Sequence, residues 1–140
     1  MKRAIIVQGQ SGSGKTTTIR WIFRWLRLYY KPTISNFWDN GDLSCDLLIG
    51  GLNIRLCSAG DEGPFVHDYL TNAIASNANI IIGACRGKGS TNQAMLHILD
   101  PYGRSKPVVT SFVKTYHHSS PKAFNKRCAQ ELRTLLIGLH

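Results

Sequence analysis

Ala4-Ile5-Ile6-Val7-Gln8-Gly9-Gln10-Ser11-Gly12-Ser13-Gly14-Lys15-Thr16-Thr17 decides how this chain is read. Ala4 to Val7 is an unbroken apolar run, the pattern that a central parallel strand needs. Three glycines in six residues follow, from Gly9 to Gly14. A helix is then expected from Lys15 to about Tyr30, stopped by Pro32. Gly9 to Thr16 fits G-x-x-x-x-G-K-[ST] at every fixed position, between a strand and a helix. Glycines let successive N–H groups turn inward and form a concave anion nest. The start of the following helix adds its partial positive charge.

These residues resemble the phosphate loop (Walker A motif) of the P-loop NTPase superfamily. The specific likeness covers residues 4–17, and it implies one P-loop nucleotide-binding domain over residues 1–140. It implies that Gly9, Gln10, Ser11, Gly12, Ser13 and Gly14 wrap the phosphates of a nucleoside triphosphate. Lys15 then reaches the β- and γ-phosphates, the Thr16 hydroxyl ligates Mg²⁺, and Thr17 meets the α-phosphate. The subfamily stays open between small nucleotide kinases and ATPases. A guanine-reading N-K-x-D is missing; the nearest string, Asn125-Lys126-Arg127-Cys128, lacks the Asp. ATP is therefore the expected nucleotide.

Outward from the loop, Ser35 to Ser44 reads as polar loop. Asp46 to Ile49 and Leu52 to Ser58, joined by Gly50-Gly51, read as a tight hairpin. Phe65 to Ser76 reads as a helix, Asn79 to Cys85 as a buried strand, and Thr91 to Leu99 as a helix. Val108 to Tyr116 is a last strand, and Ser120-Pro121 opens a last helix reaching about Leu139. Strands alternating with helices give the expected class: α/β, a three-layer, doubly wound, mostly parallel sheet with an antiparallel hairpin strand.

The superfamily also uses a carboxylate at the end of a neighbouring strand. Asp61, just past Leu52 to Ser58, is the candidate second metal ligand, with Glu62 behind it. The run Ala59-Gly60-Asp61-Glu62-Gly63 loosely resembles the second switch of GTP-binding proteins, but those carry a carboxylate where this chain has Ser58. Arg86, after the strand Asn79 to Cys85, is the candidate for stabilising charge on the transferring phosphoryl group. Lys15, Asp61 and Arg86 are thus the catalytic candidates. Arg104 and Lys106 suit a short lid, and Tyr116 or His117 a contact with the base. Asp39 reads as a surface-turn residue ahead of a base for an acceptor hydroxyl.

The chain has 140 residues, 43% of them apolar, and a formal charge of +9. That excludes intrinsic disorder and makes one domain. No apolar run is long enough for a membrane span, and the short run at Ala4 is no secretory signal, so a cytosolic protein is expected. The charge is uneven. Residues 1–31 hold seven basic and no acidic side chains, residues 32–100 three and seven, residues 101–140 seven and one. Arg20, Arg24, Arg27 and Lys31 recur at helical spacing, with Trp21 and Trp25 beside them. Helix packing on one face would join them to Lys122, Lys126, Arg127 and Arg133. Such a face suits nucleic acid, an acidic protein or a second copy of the chain. Cys45, Cys57, Cys85 and Cys128 lack metal-site spacing and read as buried, reduced thiols. Three readings follow. One is a Mg²⁺-ATP enzyme, hydrolysing ATP or passing its γ-phosphate to a small acceptor. The second is a nucleic-acid-associated ATPase. The third is a non-enzymatic nucleotide switch or adaptor.

Overall fold

A computed structural model describes residues 3–9, 15–59, 63–76, 78–86 and 109–114. Arg3–Gln8 forms β1, Lys15–Tyr30 α1, Thr33–Asp39 β2, Leu43–Ile49 β3 and Leu52–Cys57 β4. Gly63–Ala75 forms α2, Ile80–Cys85 β5 and Val109–Lys114 β6. The six strands make one sheet in the order β2-β3-β4-β5-β1-β6. β1 pairs in parallel with β5 and β6, and β5 with β4. β2, β3 and β4 are antiparallel to one another in turn.

This overturns the expected doubly wound, mostly parallel three-layer fold. The sheet is mixed, and its β2-β3-β4 side is an antiparallel meander rather than a single hairpin strand. Two helices are found among the described residues. The error has one physical source. Ser35, Asn36 and the Asp39-Asn40-Gly41-Asp42 run read as loop, yet Thr33, Ile34, Phe37 and Trp38 are strand formers. They add a strand at the sheet edge, where polar outward residues are tolerated. The register slips between Ser35 and Trp38, and Asn36 has a φ of 52°. Such a bulge at an edge discourages pairing with another chain. The expected helices at Thr91–Leu99 and after Ser120 lie outside the described residues.

Side-chain alternation sorts the core onto the two sheet faces. Ile5, Val7, Leu43, Cys45, Leu47, Leu56 and Ile82 point to one face, where Ile19, Ile22, Phe23 and Leu26 of α1 cover them. Ala4, Ile6, Ile81 and Cys85 point to the other, beneath Val66, Leu70 and Ala73 of α2. Each fully buried Ile or Leu contributes about 1.5–3 kcal/mol, so these two clusters fix which way every strand faces. α1 ends as the sequence requires: Lys31 takes a φ of 46°, the left-handed cap, and Pro32 forbids another turn. In the Gly50-Gly51 hairpin only Gly50 has positive φ (60°), the turn that needs glycine at its first position. Asp46 and Arg55 face each other across β3 and β4 and form an ion pair, joined by Asn36 from β2. Burial tends to raise the Asp46 carboxyl, but the bonds from Arg55 and Asn36 prevail and hold it below its ordinary value.

The Tyr69 hydroxyl finishes a ladder. The β4–β5 pairing stops at Leu56 and Ile82. Two residues on, Tyr69 Oη donates to the Ala84 carbonyl at 2.6 Å and accepts from the Ala84 N–H at 3.0 Å. The ring crosses Gly83 so closely that a Cβ there would sit 2.6 Å from Oη. Gly83→Ala should therefore cost about 1–3 kcal/mol by overpacking. Tyr69→Phe should cost about 1–3 kcal/mol by leaving two strand groups unpaired. Urea unfolding measures both; wild-type stability in Gly83→Ala would mean that the ring does not cross the strand.

Candidate functional site

β1 ends at the centre of the sheet. The Gly9 N–H donates to the Cys85 carbonyl at 3.1 Å, so the ladder with β5 runs one residue past the strand before the chain turns away. Gln10 to Gly14, the middle of the phosphate-loop motif, lie outside the described residues. Their two ends are described. Gly9 is buried at one. At the other Lys15 opens α1, only 5% exposed, and its Nζ donates back to the Gly9 carbonyl at 2.9 Å. The lysine thus spans the base of the loop. The first turn of α1 contains no acidic residue to offset the positive end of its dipole. Thr18, also buried, faces inward with Ile19, whereas Thr17 is exposed.

Thr16 faces a carboxylate that the sequence reading did not select. Its Oγ1 lies 3.4 Å from Asp42 Oδ1, and Ser58 Oγ donates to the same oxygen at 3.1 Å. The 3.4 Å contact is long for a hydrogen bond. It is close to the spacing of two oxygens sharing one magnesium ion: adjacent ligands at about 2.1 Å stand about 3 Å apart. All three groups are hard oxygen donors, the chemistry that Mg²⁺ selects. Among the described residues, no cluster of three or more His, Cys, Asp or Glu could hold a metal ion.

Hairpin register explains why Asp42 arrives here. Counting six positions back from Ile49 and six forward from Leu52 sets Leu43 opposite Ser58. The two are locked: Ser58 N–H donates to the Leu43 carbonyl at 2.8 Å, and the Leu43 N–H to Ser58 Oγ at 2.8 Å. Ser58 is 1% exposed, so this lock is dry. Asp42 is the next residue out. The Asp42 carboxylate thus reaches Ser58 from the partner strand. Both signals were present in the sequence: the serine in a carboxylate's usual place, and the Gly50-Gly51 turn from which the register counts.

Asp39 is not a free turn residue. It ends β2, and Arg20 grips it with two prongs, Nη1 to Oδ2 at 2.8 Å and Nη2 to Oδ1 at 2.6 Å. Arg20 Nη2 also donates to the Gly41 carbonyl at 3.0 Å. The basic stripe of α1 is therefore partly committed. Arg20 is tied to the β2–β3 turn, and Arg27 lies over the Phe23 ring at 5.6 Å. Arg24 and Lys31 are exposed. Trp21 and Trp25 stack at 6.4 Å, half-buried against the core, and Trp25 meets Tyr29 and Tyr30.

Arg86 follows β5 directly, and Cys85 pairs with Gln8, so Arg86 lies at the sheet edge where β1 delivers the loop. Asp61, Glu62, Arg104, Lys106, Tyr116, His117 and the basic residues of the expected last helix lie outside the described residues. Cys45, Cys57 and Cys85 are buried and unbonded to one another. Burial pushes the Cys45 thiol up to about 12 and the Cys85 thiol up to about 11, so both stay protonated. No helix among the described residues is long and apolar enough to cross a membrane.

The hydrogen bonds from Arg20 hold the Asp39 carboxyl down at about 2; burial opposes them, and the Gly41 N–H assists. An Asp in the unfolded chain titrates near about 3.9. The folded value is the lower, so the pair's contribution is full above about 4 and is lost as pH falls through about 2. The Asp39 carboxyl carbon, followed by NMR, should stay flat from neutral pH to about 4 and move with a midpoint near 2. A midpoint near 4 would mean that the pair does not persist in solution.

Compared with protein-family models, with curated proteins and with solved structures, the chain matches none.

Proposed function

We propose that this chain binds a nucleoside triphosphate, ATP by preference, together with Mg²⁺. We propose further that it hydrolyses the triphosphate or passes its γ-phosphate to a small acceptor. One observation carries the reading: the buried Lys15, at the head of α1 and closing on Gly9, brackets a loop whose sequence is a complete phosphate-loop motif.

In this reading the Lys15 ammonium leaves the Gly9 carbonyl for the β- and γ-phosphate oxygens. The motif Gly9 to Thr16 would bind the phosphates through its N–H groups, with Thr17 as the candidate for the α-phosphate. Thr16 and Asp42 hold the cation, with Ser58 fixing Asp42; Asp61 keeps its sequence-based candidacy as a further carboxylate. A magnesium ion held by Thr16 and Asp42 would supply positive charge to offset the negative charge of the phosphates during transfer. Arg86 adds a fixed positive charge at the same edge. Water, or an acceptor hydroxyl, forms the new bond to phosphorus, and the β-phosphate leaves with the electron pair. Lys15→Ala should weaken nucleotide binding about 10- to 100-fold, the worth of a charge-assisted hydrogen bond. Asp42→Asn should erase most of the gain that Mg²⁺ gives. Titration of a fluorescent ATP analogue with and without Mg²⁺ reads both. Equal affinity of Lys15→Ala and wild type would sink the reading.

A second reading is favoured by the Trp21–Trp25–Tyr29 rail beside the exposed Arg24: a nucleic-acid-associated ATPase. Aromatic faces stack on bases while arginines meet phosphates. Because Arg20 is bound to Asp39, Arg24 and Arg27 are the residues to test. Changing both to Ala should flatten the salt dependence of single-strand binding by about 1.4 in slope, two phosphate contacts. An unchanged slope counts against this surface. A non-enzymatic switch instead predicts tight nucleotide binding without turnover.

A further inference from the structure

Thr16 and Arg20 are four residues apart on α1, one above the other on a single helix face. Both meet the turn between β2 and β3. Thr16 meets Asp42, the residue that enters β3. Arg20 meets Asp39, the residue that leaves β2, and the Gly41 carbonyl between them. The turn is also knotted within itself. Asp39 Oδ1 accepts from the Gly41 N–H at 3.3 Å, and the Asn40 N–H donates to the Asp42 carbonyl at 3.2 Å. Gly41 has a φ of 104°, a conformation that other residues rarely adopt.

The ladder resumes at Trp38–Ser44 and Asp39–Leu43, so the sheet closes the base of this turn, and α1 holds it from a second side. β2 lies at the sheet edge, and its register with β3 slips just before Trp38. On the β3 side Ser58 locks Leu43 and holds one Asp42 oxygen, leaving Asp39 and Gly41 to be held from elsewhere. The Arg20 fork supplies the remaining constraint, and it comes from the same helix that carries Lys15 and Thr16.

We propose that Arg20 is a positioning residue for the divalent cation: by clamping Asp39 and Gly41 to α1, it holds the Asp42 carboxylate at the Thr16 hydroxyl. This rests on the reading of Thr16 and Asp42 as the cation's protein ligands. The guanidinium geometry matters as well as the charge, since two parallel bonds to the carboxylate and one to the carbonyl need a planar fork. Lysine offers a point charge and cannot replace it.

The test uses the full chain and a fluorescent ATP analogue, titrated in excess Mg²⁺ and in EDTA, with Mn²⁺ binding by electron paramagnetic resonance as a second readout. The quantity read is the ratio of the two affinities. Arg20→Lys and Arg20→Gln should each cut the Mg²⁺ enhancement about tenfold and weaken Mn²⁺ binding in step, while affinity in EDTA changes by less than about twofold. Asp39→Asn attacks the clamp from its other side and should give the same signature; it keeps the test alive if an Arg20 variant folds poorly. Adding Arg20→Lys to Asp42→Asn should cost nothing more, because the clamp acts only through that ligand. A wild-type Mg²⁺ enhancement in a folded Arg20→Lys would overturn the clamp and leave the proposed function standing. Loss of affinity in EDTA to the same degree as in Mg²⁺ would mean that Arg20 merely supports the fold. No Mg²⁺-dependent binding by the wild type would remove the cation reading and this inference together.

Discussion

A lysine ammonium almost out of water is the constraint on which the site depends. Removing an ammonium from water is costly unless strong acceptors replace the solvent. Lys15 meets that demand with the Gly9 carbonyl, and Gly9 is held to β5 through Cys85. The chain between them must therefore leave the sheet and return to nearly the same point. Burial of Ile19, Ile22 and Leu26 then fixes the direction of the helix, and with it the places of Thr16 and Arg20. Every functional group argued for above hangs from this one closure or from the meander that meets it.

Much of this was legible in the residues. α1 runs over Lys15–Tyr30 as its periodicity and Pro32 require, and the Gly50-Gly51 hairpin and the β5 strand follow from runs of apolar and β-branched residues. These elements carry a strong local signal because their buried faces are continuous. β2 carries none. As an edge strand it is exposed almost throughout, polar and aromatic residues alike, and its bulge breaks the alternation that marks a strand. Reading that stretch as loop left the sheet looking mostly parallel, which was the error in fold class. Asp42 was missed for a related reason. Its place depends on a non-local register, set by a turn eight residues away, not on its neighbours in sequence.

The meander also changes what the net charge means. Read along the sequence, the basic residues of α1 make one stripe of four. In the fold their roles separate. Arg20 is spent on Asp39, and Arg27 sits on an aromatic ring that itself touches Phe37 of β2 at 5.9 Å. So the edge strand and the helix are joined by charge at one level and by aromatic contact about one turn along. Part of the positive excess is structural, holding an outer strand to the helix that opens the site. The part left to a partner is smaller, and it lies toward the end of α1.

This arrangement has a consequence for how the site is tuned. A carboxylate on β4 itself would be fixed by the parallel core and would move only with it. Asp42 stands instead just before β3, linked to the core through the buried Ser58 and to α1 by its long contact with Thr16 and, through the neighbouring Asp39, by a surface ion pair. Surface pairs are screened and individually weak, so the arm can be rearranged at small cost while the core stays intact. Lys15 is thereby anchored to the core through Gly9, whereas Asp42 is anchored at the edge of the meander. A change at the β2 edge, around the exposed Phe37 and Trp38, reaches Asp42 through a short stretch of chain. The route passes through Asp39, and its stiffness is that of the Arg20 fork.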